Sequence, residues 1–349
     1  MHKSVSRLTA RALACGFALA STSAFAATTE VGGKLFFDVS HRTVEASHGD
    51  GAGRRGSGGD VKRMYFTLAH AFNPVWSLHL TTDAAWSSAD GFDEPFVKKA
   101  YLQTVFSKSA VLRLGAADLP WVSYVDKAQG FRYVEKSLLD RLKFGTSADW
   151  GVHLGGGVGA GTAVNYAVSA VNGRGYREPG HSHHVDVEAR VAVEPVGGLA
   201  LAIGAYSGKL GAARQAATYH TAQRTSVMLA WTNAHLRVGA EWFRADNWRT
   251  VAAPLSDTAA GWSAWASARL ADQWAVFGRH DRARLRRDRD PRNQQRYSHA
   301  GVEYQVSKRI DLALVWKRTH SDASALCGTQ ACQRQQRSDE IGVWGQLAF

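Results

Sequence analysis

The sequence predicts an all-β fold, a transmembrane antiparallel up-and-down β-barrel of about 16 strands. Three observations support this prediction. Short segments alternate apolar and polar side chains along the chain, their connections alternate between short turns and longer polar loops, and a secretory leader comes first. After that leader, no stretch of about 18 apolar residues offers a membrane helix. A closed barrel is the other structure that satisfies every backbone polar group in lipid.

The leader occupies the first 26 residues. Its start is basic, with Lys3, Arg7 and Arg11. An Ala- and Leu-rich core follows, and Ala24-Phe25-Ala26 supplies the small residues of a cleavage site. We expect cleavage near Ala26 and one barrel domain over residues 27–349, in a bacterial outer membrane. A lipoprotein acylated at Cys15 is the alternative, but Leu13 lies one position too close to that cysteine.

The composition suits strands and is basic. The chain has 12 Trp, 10 Tyr and 14 Phe beside 34 Gly and 7 Pro, which favours strands and tight turns. Loss of the leader removes three basic residues, leaving 39 Lys and Arg against 30 Asp and Glu, a formal charge of +9. The mature chain keeps Cys327 and Cys332. In an oxidising compartment this pair predicts a disulfide, because two thiols alone are too few for zinc.

Alternation defines the individual strands. Residues 185–194 are the clearest case, because valines and an alanine interleave there with mostly charged residues. An apolar outer face and a polar inner face are typical of a membrane barrel. The predicted strands are 33–43, 61–72, 75–87, 95–106, 110–117, 147–156, 161–171, 184–194, 198–207, 223–233, 235–245, 260–270, 273–281, 296–306, 309–318 and 339–349.

The connections between these strands are of two kinds. Seven short turns would lie on one rim of the barrel and eight longer loops on the other, as in outer-membrane barrels with both termini on the periplasmic side. The chain also ends on Phe349, in outward phase with Ile341, Val343 and Leu347. This ending resembles the terminal aromatic signal of bacterial outer-membrane proteins.

Three runs of sequence carry a resemblance to a family. They are Arg113-Leu-Gly-Ala-Ala-Asp-Leu-Pro, the segment 131–140 (Phe-Arg-Tyr-Val-Glu-Lys-Ser-Leu-Leu-Asp) and Trp150-Gly-Val-His-Leu-Gly-Gly. These runs look like the strand, third loop and next strand of phosphate-selective and polyphosphate-selective porins. They cover about a tenth of the chain, and the rest matches in architecture only. The resemblance implies a homotrimer of sixteen-stranded barrels and an inward-folded third external loop. No cofactor is expected, because passive diffusion needs no covalent chemistry.

The longest connection, 118–146, is the third external loop and the candidate constriction. It has aromatic residues that could anchor it and charges of both signs that could line a channel. The alternative is a partly helical lid over the barrel mouth. By position, the resemblance assigns attraction of oxyanions to Arg113 on the fifth strand and to five basic residues of the loop: Lys127, Arg132, Lys136, Arg141 and Lys143. Strand alternation adds Lys99 and Arg237 as inward-facing pore candidates.

Acidic residues offset much of this charge. The loop also carries Asp118, Asp126, Glu135 and Asp140, which favours a weak anion preference over strong phosphate selectivity. Further inward positions hold charges of both signs: Lys34, Asp38, Asp186, Glu188, Arg190, Glu241, Asp311 and Lys317. Opposed charges across a lumen can set up a transverse field, whereas a ring of one sign selects ions.

Other clusters in the sequence bear on functions other than permeation. The basic loop 282–292 could bind lipopolysaccharide phosphates or simply be solvated. Nucleic-acid binding is not expected, because no stacking platform or recognition helix accompanies the charge. His181, His183 and His184 lack further metal ligands nearby, so no metal is expected. No Gly-x-Ser-x-Gly element occurs, so we do not expect an enzyme.

The resulting functional prediction is passive diffusion of small hydrophilic solutes through a water-filled channel that prefers anions. The expected partners are outer-membrane lipids, lipopolysaccharide and small anionic solutes. An unselective or cation-preferring general porin is the main alternative, because the net charge includes external loops that a permeating ion need not sense. A soluble β-rich binding or adhesion protein is a further alternative.

Overall fold

The computed structural model describes residues 27–46, 53–84, 86–87, 91–92, 94–159, 163–214, 216–327 and 330–349, without the side chains of 86–87, 91–92 and 325–333. The predicted leader, residues 1–26, lies outside the described residues. Within them, no helix is long and apolar enough to cross a bilayer.

Sixteen strands of the described chain close into a barrel, in which each pairs antiparallel with its sequence neighbours. Two further short strands, β4 and β5, pair separately. The strands are β1 (Thr28–Ala46), β2 (Arg54–Ala71), β3 (Trp76–Ala84), β4 (Trp86–Ser87), β5 (Gly91–Phe92), β6 (Phe96–Ser107), β7 (Ala110–Asp118), β8 (Ala148–Val158), β9 (Val164–Val171), β10 (Asp186–Val196), β11 (Leu199–Gly208), β12 (Ala222–Thr232), β13 (Leu236–Asp246), β14 (Thr258–Ala271), β15 (Trp274–Arg284), β16 (Gln294–Ser307), β17 (Ile310–Cys327) and β18 (Gln330–Ala348).

The period-two pattern has the polarity expected of a barrel in lipid. On β10, Val187 and Val191 are 42% and 46% exposed, whereas Glu188 between them is 1% exposed. Apolar side chains therefore face outward and polar ones face the lumen, the reverse of a soluble β-sandwich. The predicted sixteen-stranded up-and-down barrel is confirmed.

The predicted strand ends were least accurate at the loop-bearing rim. Residues 319–338 were expected to form a loop, but β17 runs on to Cys327 and β18 begins at Gln330. This extension pairs residue by residue, with Thr319 opposite Ser338. The sequence did not predict this extension because its residues are mostly polar. A hairpin above the membrane needs no apolar outer face, so it lacks the alternating pattern. The side chains of Cys327 and Cys332 lie outside those described, so their disulfide stays a prediction.

The third long connection folds into the barrel. We call residues 119–147 the inner loop; it contains α1 (Val122–Gln129) and α2 (Leu138–Arg141). A third helical segment, the short 3-10 helix Ala212–Arg214, lies in another loop. The inner loop packs on inward side chains such as Met228 and Phe243, so it is not a lid over the mouth.

The barrel closes where its first and last strands meet. β18 pairs with β1 from Lys34 opposite Ala348 to Ala46 opposite Gln336. The N–H of Gly33 donates to the carbonyl oxygen of Phe349 at 3.0 Å, and the N–H of Phe349 donates back at 3.2 Å. A Cβ at position 33 would collide with the Phe349 ring, so glycine is required at this contact.

Candidate functional site

An apolar face of the inner loop fixes it to one side of the barrel wall. Trp121, Val125, Leu139 and Phe144 are almost fully buried. They pack with inward residues of β10 to β15, six of which are alanine: Ala192, Ala202, Met228, Ala230, Phe243, Ala245, Ala259, Trp265 and Ala283. A Cβ at Gly204 would collide with the Trp121 ring. Small residues on these strands therefore make room for the loop.

Buried polar contacts orient the start of the inner loop. The backbone N–H of Trp121 donates to Glu188 at 2.9 Å, and its indole N–H donates to Glu241 at 3.3 Å. Glu188 also forms an ion pair of 2.8 Å with Arg224, and both side chains are only 1% exposed. Glu188 and Glu241, predicted as inward-facing acids of the lumen, therefore hold the inner loop.

A second group of ion pairs holds the far end of the inner loop. Arg141 lies 3.0 Å from Asp281, which Arg279 also contacts at 2.6 Å. Lys317 lies 3.8 Å from Glu135 and donates to the carbonyl oxygen of Val134 at 2.7 Å. Burial alone would raise the pKa of Glu135, but the positive charges of Lys317, Arg141 and Arg279 lower it to about 2.

On the opposite side, the inner loop and the wall enclose a cavity of about 550 Å³. Charged side chains dominate its lining. Seven are basic, namely Lys34, Lys98, Lys99, Lys127, Arg132, Arg237 and Arg269, and three are acidic, namely Asp118, Asp126 and Glu303. The cavity is thus a cationic compartment beside the loop.

Ion pairing leaves most of this positive charge uncompensated. Lys99 pairs with Asp118 at 2.6 Å, and Arg132 bridges Asp126 at 2.9 Å and Asp140 at 2.8 Å. Within the described part of the chain, no carboxylate pairs with the other five basic residues: Lys34, Lys98, Lys127, Arg237 and Arg269. Glu303 is the remaining acid of the lining, and it accepts a hydrogen bond from Tyr133 at 2.8 Å.

The eight basic residues predicted for the pore fall into two groups. Lys99, Lys127, Arg132 and Arg237 line the cavity together. The other four lie elsewhere: Arg113 donates to Gln103 on β6, Arg141 pairs with buried Asp281, the backbone of Lys136 accepts from Arg279, and Lys143 is exposed. The pKa of Lys136 is lowered, chiefly by burial.

Two basic residues near the cavity were missed from sequence. Arg63 on β2 pairs with buried Asp83 at 2.7 Å, and it stands in inward phase with Tyr65, so its alternation was a usable signal. Lys98 lies 4.3 Å from the Tyr65 ring centre and donates to its hydroxyl at 3.1 Å. The pairing of β3 with β6 shifts register between Thr81 and Thr82, opposite Lys98. A period-two sequence pattern does not reveal such a shift.

No metal site was predicted. The residues that the structure describes contain no group of three or more His, Cys, Asp or Glu side chains that could hold a metal ion. His181, His183 and His184 are exposed in the connection between β9 and β10.

A closed sixteen-stranded barrel with an inward third loop is the fold of bacterial outer-membrane porins. The chain superposes on an anion-selective porin of Comamonas acidovorans with a TM-score of 0.65 and 12% identity, over 93% of this chain and 100% of that one. For the channel DcaP of Acinetobacter baumannii the TM-score is 0.61 and the identity 11%, over 93% and 97%.

A third similar structure is the trimer form of OmpT, an outer membrane protein of Vibrio cholerae. Its TM-score is 0.57 at 13% identity, over 93% of this chain and 100% of that one. No protein-family model matches the chain, and no curated protein sequence matches it significantly. The similarity at these identities lies in the fold, and the resemblance to phosphate-selective porins is not tested further by it.

Proposed function

We propose that this protein is an outer-membrane porin that lets small hydrophilic solutes diffuse passively and favours anions. The observation that carries the proposal is the cavity beside the inner loop, where five basic residues without a carboxylate partner face a single unpaired acid. A permeating ion must pass between the inner loop and the wall, so it meets this charge at close range.

The selectivity follows from electrostatics in a narrow, water-filled space. Low-dielectric walls focus the field of fixed charges, which raises the local concentration of ions of opposite sign. An anion therefore enters at a lower free energy than a cation of the same size. Because the basic residues are spread around the cavity, an anion can pass from one to the next without a single tight site.

The same reasoning limits phosphate specificity. Asp126 and Asp140 of the inner loop neutralise Arg132, and Asp281 on β15 pairs with Arg141. These are the two guanidinium groups of the loop. Strong oxyanion recognition relies on bidentate contacts from free guanidinium groups. The other two guanidinium groups of the cavity, Arg237 and Arg269, each already donate an N–H to a backbone carbonyl oxygen. We therefore propose a general preference for small anions, phosphate among them, in a homotrimer exported by the leader 1–26.

The test is the reversal potential of the purified protein in a planar bilayer across a potassium chloride gradient. We expect a potential displaced toward the chloride equilibrium value. The triple variant Lys34→Gln, Lys98→Gln, Arg237→Gln should move it toward zero or beyond. A control with the same loss of charge in exposed periplasmic turns, Lys108→Gln, Lys308→Gln, Arg309→Gln, should leave it unchanged.

Other outcomes would redirect the proposal. A wild-type potential displaced toward potassium would keep the channel but replace anion preference with cation preference. Equal shifts in the triple variant and the control would show that net charge, and not the cavity, sets selectivity. No conductance in a folded, reconstituted barrel would contradict the channel itself.

A further inference from the structure

A basic and aromatic patch lies on the outer face of the barrel, at the loop-bearing ends of β13, β14 and β15. We call Trp242, Trp262, Arg282, Arg284 and Arg287 the rim patch. Trp242 pairs with Trp262, and Trp262 pairs with Arg282, so these three outward side chains form one row across the strands. The two tryptophans are 43% and 41% exposed, which leaves their rings open to a ligand.

The rim patch surrounds a surface cavity of about 280 Å³. The remaining lining residues are small: Ala260, Gly261 and Ala283. Ala260 is paired with Arg284, one outward row above the tryptophans. Because a methyl group occupies that position, a gap remains between the indole rings and the guanidinium groups.

The arginines of the rim patch carry uncompensated charge. Within the described chain, Arg282, Arg284 and Arg287 form no ion pair and no side-chain hydrogen bond. Two nearby arginines do form ion pairs: Arg286 with Asp257 at 3.2 Å and Arg244 with Asp246 at 3.0 Å. Acidic partners are thus supplied close by, but not beside the cavity.

The rim patch also lies at the height of a membrane boundary. On β15 the outward positions run from Trp274 to Arg282, eight residues of about 3.3 Å each. With a strand tilt of about 40°, this spans about 20 Å of membrane, close to the apolar band of outer-membrane barrels. At the opposite boundary, the Trp274 ring packs against the Tyr304 ring, with 4.7 Å between the ring centres. The arginines therefore lie at the level of lipid headgroups.

We propose that the rim patch binds the phosphate-bearing headgroup of a glycolipid in the external leaflet. Guanidinium groups bind phosphate through charge-assisted, often bidentate hydrogen bonds. Indole rings pack at the junction between apolar chains and headgroups. A phosphorylated membrane lipid presents both chemistries at this spacing, whereas a free phosphate ion uses only the first. The inference depends on a membrane location and not on ion permeation.

The experiment measures lipid binding by native mass spectrometry of the full, detergent-solubilised protein. The probe is bis-phosphorylated lipid A, compared with the same lipid after removal of its phosphates. We expect the triple variant Arg282→Gln, Arg284→Gln, Arg287→Gln to bind the phosphorylated probe roughly 100-fold more weakly, since each basic side chain contributes about a factor of five. The dephosphorylated probe should bind both proteins weakly.

Two further variants separate the site from bulk charge. Arg54→Gln, Arg55→Gln, Arg334→Gln removes three exposed basic residues from other parts of the same rim and should leave binding unchanged. Ala260→Trp fills the gap, keeps every charge, and should weaken binding at least tenfold. Heat-modified electrophoretic mobility checks that each variant is folded.

Several results would overturn the proposal. Equal weakening by both triple variants would assign lipid binding to overall charge. Displacement of the lipid by millimolar inorganic phosphate would make the patch a site for the free ion. A change of oligomeric state in the rim-patch variant, with lipid binding intact, would make this face a contact with a second copy of the chain.

Discussion

Two parts of the inner wall use charged side chains differently. On β10 to β15, Glu188, Arg224 and Asp281 are buried, and they pair with one another or with the inner loop. On β1 and β6, Lys34 and Lys98 line the cavity without a carboxylate partner among the described residues; Lys34 is exposed there, whereas Lys98 is buried against Tyr65. Both sets stand on the inner side of the barrel wall. An inward charge is therefore open to the lumen only where neither the inner loop nor the wall covers it.

The largest effect is expected from a substitution that releases the inner loop from the barrel wall. Glu188→Ala leaves Arg224 buried without its ion pair, which costs about 3 kcal/mol. We expect a larger and noisier single-channel conductance and a lower unfolding temperature of the detergent-solubilised protein. The double variant Glu188→Ala, Arg224→Ala should recover part of the loss. Unchanged conductance in the single variant would show that other contacts suffice to hold the loop.

A smaller effect is expected from one uncovered charge. Lys34→Gln should lower the chloride-to-potassium permeability ratio roughly fivefold, because a unit charge at 4 Å is worth about 1 kcal/mol even in water. Reversal potentials measure this ratio. The control Lys99→Gln, Asp118→Asn removes an ion pair of zero net charge from the same cavity, so it should change the ratio little. Similar changes of the permeability ratio in the variant and the control would show that paired and unpaired residues affect selectivity alike.

Freeing a paired lysine should act in the opposite direction. Asp118→Asn leaves Lys99 without the carboxylate that now lies 2.6 Å away. We expect the anion preference to rise roughly twofold, because Lys99 then adds to the cationic lining. The same bilayer measurement tests this, and a fall in anion preference would contradict the proposed arrangement of charge.

The smallest effect concerns acidity. The pKa of Glu135 is held at about 2, below its ordinary value of 4.5, so its ionised form stabilises the folded loop. That contribution is complete above about pH 4.5 and is lost as the pH falls toward 2. Conductance noise should therefore be constant from pH 7 to 5 and rise below pH 4.5. The Glu135→Gln variant should show high conductance noise over the whole pH range. A rise of the noise in the unmodified protein already at pH 6 would assign the effect to another titratable group.

The sixteen strands could be predicted from sequence because a lipid-facing outer wall imposes period two on every strand. Val187 and Val191 remain outward-facing and apolar even where their neighbours are ionic. Above the membrane this constraint disappears. The paired residues of the extended hairpin, from Thr319 opposite Ser338 upward, are mostly polar, and sequence alternation gave no sign of them.

The cavity was only half predictable. Alternation identified Lys99 and Arg237 as inward, but the irregular pairing between β3 and β6 brings the adjacent Lys98 to the cavity as well. Nor could sequence separate Arg141, which meets Asp281 across 140 positions of chain, from an uncovered charge. Such pairings depend on how the inner loop sits in three dimensions, which local patterns do not encode.

The seam between β1 and β18 has a consequence for assembly. Every other strand pairing of the barrel joins strands that follow one another around it in chain order, but this one joins distant residues such as Ser40 and Glu340, which are 300 positions apart. Contacts of such high sequence separation form slowly, because the intervening chain must first be confined. Until they form, two unpaired strand edges are open to aggregation. We therefore expect the exported chain to depend on a periplasmic chaperone until its last strand meets its first.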